Sequence, residues 1–314
     1  MRPFLRRAAC ILSAATGLLC ASVAQAAVVE VTTSFSILGD FIRQVGSDRV
    51  AVRVLVGPNE DAHAFQPRPS DARGIASSKL VVANGLGFDD WIVRLAKSAG
   101  FNGTMLIASE GVRTLTMTAA DTHDHGGEHA HDDMAGGIDP HAWQDVANAQ
   151  RYVANIASAL IAADPQGAPV YKANAERYTG QLKALDADIR AALGRLPAER
   201  RRVVSSHDAF GYFARAYDIR FLSAVGVSNN AEPTAQGVAK LIRQIRTEKV
   251  PAVFIENVVD PRLIERIRLE SGARIGGTLF SDALSAAGGP APDYLSLMRH
   301  NLARLNEALS PSRP

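Results

Sequence analysis

Short β-branched and aliphatic runs alternate with amphipathic stretches along most of the chain. The runs predict strands at Val28–Thr33, Arg49–Val56, Lys79–Asn84, Thr104–Ala108, Arg202–Ser206, Ile219–Val225, Ala252–Glu256 and Arg274–Leu279. Between them, Ser36–Val45, Asp89–Ala99, Asp208–Tyr217, Ala235–Glu248 and Pro261–Ser271 carry the apolar spacing of helices. That alternation is the signature of α/β units with parallel sheets. Four strands fall before residue 110 and four after residue 200, which suits two lobes.

The middle of the chain reads differently. Tyr171, Ala175, Tyr178, Leu182, Leu185, Ile189, Ala192 and Leu196 recur at alternating spacings of four and three. They predict one helix from about Ala168 to Leu196, with Pro169 in its first turn and Pro197 ending it. At 1.5 Å per residue such a helix is roughly 40 Å long and reaches along both lobes. The same stripe would also serve a dimeric coiled coil. By contrast, the segment Ala119–Gly137, AADTHDHGGEHAHDDMAGG, has no apolar periodicity and predicts a loop.

The first residues predict export. Arg2, Arg6 and Arg7 precede the apolar stretch Ala8 to Leu19, and Ala24-Gln25-Ala26 has the form of a signal-peptidase site. This reading assigns 1–26 to a leader, 27–165 to an N-terminal lobe, 166–197 to the long helix and 198–314 to a C-terminal lobe. Both cysteines, Cys10 and Cys20, fall in the leader, so disulfides and thiolate metal sites are not expected in the mature protein. Cys20 could alternatively be a lipid attachment point, but Leu19 stands where a small residue is usual, so anchoring is not the expectation. Removing the leader's three arginines from the 34 basic residues leaves 31 against 32 acidic ones, which argues against nucleic acid as a partner.

Chemistry concentrates at His63 in GPNEDAHAFQPRPSD, His141 in GGIDPHAWQD, His207 in VVSSHDAF and Asp282 in LFSDALS. Each sits where a strand or loop gives way to a helix, the place where open α/β sheets put their ligands. Imidazole nitrogens with one carboxylate are a borderline-soft set that suits Zn²⁺, and four protein ligands make a closed binding site rather than an open catalytic one. Asp61, Asp139, Asp208 and Glu256 are placed to orient these histidines, with Glu256 favoured because it ends a strand facing the right way. Each of them would equally suit a helix cap or the surface. Trp143 and Phe210 are expected to wall the site, and His300 to lie on a solvated helix face.

These four segments, in this order and spacing, resemble the signature segments of the TroA-like metal-binding proteins of ABC transporters. The resemblance spans essentially the whole mature chain. It implies two lobes, each a mainly parallel four-stranded sheet flanked by helices, joined by a rigid backbone helix with the metal between them. It makes His63, His141, His207 and Asp282 the ligands. Manganese members often carry glutamate where His207 stands, so the sequence is similar to the three-histidine, one-aspartate zinc carriers of the AztC-like type. The implied protein is a monomeric periplasmic carrier that hands Zn²⁺, with Mn²⁺ or Fe²⁺ as alternatives, to a membrane permease, and that a zinc metallochaperone could load. His123, His125, His129 and His131 would collect zinc weakly near the site, or form only a solvated linker. Release is expected through small shifts on the Asp282 side and near His141. A zinc hydrolase, a surface adhesin and a periplasmic zinc buffer are the competing functions; no HExxH motif, nucleophile elbow or phosphate loop supports the first.

Overall fold

A computed structural model describes residues 28–117, 137–227 and 234–310. The leader and His123, His125, His129 and His131 lie outside the described residues. All eight predicted strands form: β1 Val29–Phe35, β2 Val50–Val56, β3 Leu80–Ala83 and β4 Thr104–Ile107, then β5 Arg202–Ser205, β6 Arg220–Ser223, β7 Ala252–Glu256 and β8 Arg274–Leu279. They make two parallel sheets with the same winding, β2-β1-β3-β4 and β6-β5-β7-β8. The helices are α1 Ser36–Gly46, α2 Pro69–Ser77, α3 Asp90–Ser98, α4 Val146–Ala163, α5 Ala168–Leu193, α6 Gly211–Tyr217, α7 Ala235–Glu248, α8 Arg262–Ser271 and α9 Tyr294–Leu309.

Helix α2 has no counterpart in the predicted pattern because only Gly74 and Ile75 of it are buried. Local chemistry starts it instead: Pro69 stands in the first turn and the Asp71 carboxylate accepts the Arg68 N–H at 2.7 Å. Helix α6 begins three residues later than the predicted start at Asp208. The N–H of His207 is held by Glu256 and that of Asp208 by Gly226 O, so these donors serve the end of the sheet rather than a helical turn.

Helix α5 buries Tyr171, Tyr178, Leu182, Leu185, Ile189 and Leu193, close to the predicted stripe, against the protein's own α1, α4 and α9. The coiled-coil alternative is therefore not needed to explain its apolar face. One apolar core runs through both lobes, from Val31 and Phe35 to Phe254, Leu279 and Leu305. Phe41 of α1 is a hub of it, with ring centroids 6.1 Å from Tyr152, 6.3 Å from Tyr178 and 4.8 Å from Tyr294. Polar contacts reinforce the joint: Asp40 accepts the backbone N–H of Tyr294 at 2.9 Å, and Ser36 Oγ accepts that of Leu284 at 2.9 Å.

A shared core makes the lobes unfold together. The metal-free protein should show a single urea transition with coincident fluorescence and circular dichroism. Leu182→Ala, in the centre of the shared layer, should lower stability by about 2–5 kcal/mol without splitting that transition.

Candidate metal centre

The structure brings four sequence-distant side chains to one point between the sheets. One ligand-capable atom from each of His63, His141, His207 and Asp282 lies within 4.8 Å of all the others. The Nε2 of His207 is 3.1 Å and that of His63 3.3 Å from Asp282 Oδ2; the Nε2 of His141 is 3.7 Å from Oδ1 and 3.3 Å from His63 Nε2. A tetrahedral ion with bonds of about 2.0–2.1 Å has ligand-to-ligand edges of about 3.3 Å, so the spacing fits one ion. Both Asp282 oxygens and His207 Nε2 are buried, and they face one another and the rings of His63 and His141. Buried polar atoms are normally satisfied, and a cation between them would satisfy all three.

Each donor is held from behind. Asp61 and Asp139 stand two residues before His63 and His141, and each accepts its histidine's backbone N–H, at 2.8 and 2.9 Å. The two Asp-x-His turns are thus built alike. Asp139 Oδ1 also lies 2.8 Å from the His141 Nδ1, which commits Nε2 to the site. The turn is pinned by Asn84 Nδ2 donating to Pro140 O at 3.0 Å, and Asn84 is in turn held by Tyr152 OH at 2.7 Å. Trp91 fixes the His63 loop by donating to Ala62 O at 3.1 Å.

His207 follows β5, and Glu256 ends the neighbouring strand β7, at the point where the strand order of the second sheet reverses. Glu256 Oε1 accepts the N–H groups of Ser206 and His207 at 2.7 and 2.9 Å, while Oε2 lies 2.7 Å from His207 Nδ1. Burial opposes charge on His207, but Glu256 and then Asp282 outweigh it and hold the imidazolium well above the ordinary histidine range. Burial likewise opposes charge on Asp282, yet His207 and His141 hold its carboxyl well below the usual carboxylate range.

Asp282 follows β8 on a loop that belongs to one lobe and is tied to the other. Ser281 O accepts from Trp143 Nε1 at 3.0 Å and Gln144 Nε2 at 2.7 Å, and Leu284 O accepts from Asn59 N–H at 2.9 Å. The aromatic wall is Phe88, whose ring centroid is 4.6 Å from His63 and 4.8 Å from Trp143, with Trp143 5.4 Å from His141. Phe88 carries no local signal in the sequence that would have singled it out. Phe210, expected in that wall, stacks on Phe221 at 4.7 Å. Asp208, one of the acids considered near the histidines, lines the neighbouring cleft with Asp139, Gly211 and Arg220, and Glu256 is the carboxylate beside His207 Nδ1. His300 is not on a solvated face: its Nε2 is 3.0 Å from Thr278 O and its ring packs on Phe280. The His63 side chain keeps 8% exposure and the other three donors none, so solvent reaches the cluster past His63.

Residues 31–308 match the family model described as zinc-uptake complex component A, periplasmic. The chain is 30% identical over 282 residues to the manganese-binding lipoprotein MntA of Halalkalibacterium halodurans, covering 90% of this chain and 89% of that protein. It is 32% identical over 269 residues to the iron-binding protein YfeA of Yersinia pestis, covering 86% and 82%. Among solved structures it resembles the periplasmic zinc-binding protein TroA of Treponema pallidum, with a TM-score of 0.79, 28% identity, and coverage of 90% of this chain and 100% of that one. The chain therefore belongs to the zinc-uptake component A family, the non-enzymatic periplasmic metal-binding proteins that serve ABC transporters as substrate-binding subunits.

Proposed function

We propose that His63, His141, His207 and Asp282 bind a single Zn²⁺ as cargo, which the protein delivers to an ABC-transporter permease. The observation that carries this reading is the convergence of three imidazoles and one fully buried carboxylate at tetrahedral spacing. Three neutral nitrogens and one carboxylate favour Zn²⁺ over harder ions, and Zn²⁺ also stands above Mn²⁺ and Fe²⁺ in intrinsic affinity for nitrogen sites. Manganese or iron is the second reading, favoured by the names of MntA and YfeA. Competition decides between them. The purified mature protein should bind one equivalent of Zn²⁺ tightly and retain it against a large excess of Mn²⁺; displacement by Mn²⁺ would favour the second reading.

His207→Ala should weaken Zn²⁺ binding at least about 100-fold, and Glu256→Gln by about 10–100-fold, because Glu256 aims the ring without touching the ion. Wild-type affinity in His207→Ala would remove that residue from the ligand set. Protons compete for the same nitrogens, and the proton stabilised on His207 must leave before metal binds. Affinity measured with a competing chelator should therefore fall steadily from about pH 7.5 to about pH 5.5.

The carrier is proposed to act as a monomer in the periplasm and to accept zinc directly or from a metallochaperone. His123, His125, His129 and His131 would gather Zn²⁺ weakly; Met117 and Gly137, joined by a 2.9 Å hydrogen bond, hold the two ends of their segment within two residues of Asp139 and close to the His141 turn. Deleting 122–134 should slow uptake at limiting zinc while leaving the affinity of the main site unchanged. Several relatives, MntA among them, are named lipoproteins. The intact mass of the exported protein distinguishes cleavage before Ala27 from lipidation at Cys20.

A further inference from the structure

We propose that Tyr212 is a cross-lobe positioning residue for His141, so that the N-terminal lobe's donor is aimed correctly only when helix α6 of the C-terminal lobe is seated. The inference rests on the four-ligand reading and concerns a residue that touches no ligand.

His141 is oriented by Asp139, and Asp139 stands on a very small scaffold. Thr116 and Ile138 form an antiparallel bridge, Asp139 N–H donates to Leu115 O at 2.9 Å, and Met117 N–H donates to Gly137 O at 2.9 Å. A two-stranded pair this short is marginal by itself and requires bracing. The brace comes from the other lobe. The buried Tyr212 phenol donates to Asp139 O at 2.8 Å and accepts the Leu115 N–H at 3.0 Å, closing the pair on both sides. Arg215, one turn further along α6, donates to Thr114 O at 3.1 Å and Arg113 O at 2.9 Å, and its guanidinium lies 5.0 Å from the Tyr212 ring.

Gly211 allows this approach. A Cβ there would come within 2.5 Å of Asp139 Oδ2 and 3.0 Å of Leu115 Cδ2, so any larger residue would press on the carboxylate that holds His141. Gly211, Tyr212 and Arg215 thus bear on the same strand pair. Tyr217, at the other end of the helix, hydrogen-bonds Asp186 of α5 at 2.9 Å and gives a control within the same element. Because α6 follows His207 by only four residues, seating the helix and placing the His207 donor involve one stretch of chain.

The test uses the mature protein, Zn²⁺, and both equilibrium competition and chelator-triggered release. Tyr212→Phe keeps the ring and removes both hydrogen bonds; it should weaken binding by about 10–100-fold, the range for partners that orient ligands, chiefly by faster release. Gly211→Ala should act in the same direction, and Tyr217→Phe should stay within about twofold of wild type. In a His141→Ala background Tyr212→Phe should add no more than about twofold, since its effect passes through His141. Wild-type release in Tyr212→Phe, or a full multiplicative loss in the His141→Ala background, overturns the proposal. If Tyr212→Phe does not fold, Gly211→Ala is judged by the same two measurements. Wild-type affinity in His141→Ala would instead overturn the underlying ligand reading.

Discussion

The structure depends on a buried carboxylate, Asp282, whose neighbours are the imidazole nitrogens of three histidines. Asp282 faces three Nε2 atoms, two of whose rings have Nδ1 beside carboxylates of Asp139 and Glu256. Burying this many polar atoms is costly unless something completes them. A divalent ion does so by accepting all four lone pairs at once. Without it, a proton shared between His207 and its two carboxylate neighbours is the available substitute, which makes proton and metal competitors for one position.

Holding such a cluster requires that loops from both lobes keep register. The common core, the Phe41 hub and the Asp40 and Ser36 contacts provide that, and the 26-residue α5, about 39 Å long, ties the layers on one side. The Asp282 loop is itself bound to the N-terminal lobe through Ser281 and Leu284. That distribution bears on release. An outward shift of Asp282 alone would break at least four cross-lobe hydrogen bonds, and the His63 loop shares one of them through Asn59 and is fixed further by Trp91. Bonds that tie the Asp282 and His63 loops across the lobes make wide hinge bending expensive.

Most of the fold was legible because it is written in local periodicity. Strand alternation gave all eight strands, and the four-three spacing gave α5 to within three residues at its end. His207 and Asp282 were legible as residues just past strand ends, and His63 and His141 as residues of loops leading to α2 and α4; Asp282 itself is followed by a loop that runs as far as α9. What escaped were partnerships between distant segments. Phe88 meets His63 only in three dimensions, and Tyr212 reaches Asp139 from 73 residues away, whereas Glu256 was anticipated because it ends a strand. Asp208 suited either a helix cap or an orienting acid in the sequence; its own N–H goes to Gly226 O, and the helix starts only at Gly211. Asp61 and Asp139 were named from the sequence because they stand two residues before His63 and His141, and the Asp-x-His turns use that local spacing.

Residues 207 and 256 have to be considered as a pair when metal choice is at issue. Glu256 stabilises a histidine at 207 by lying 2.7 Å from Nδ1, the ring atom that faces away from the cluster. A glutamate at 207, the residue that would harden the site toward manganese, has no proton to offer Glu256 at neutral pH and would set two carboxylates side by side in a buried position. One of them would have to take up a proton or move. The buried Glu256 thus favours nitrogen at position 207 from behind, and the softness of the donor set is maintained by a residue that never meets the metal.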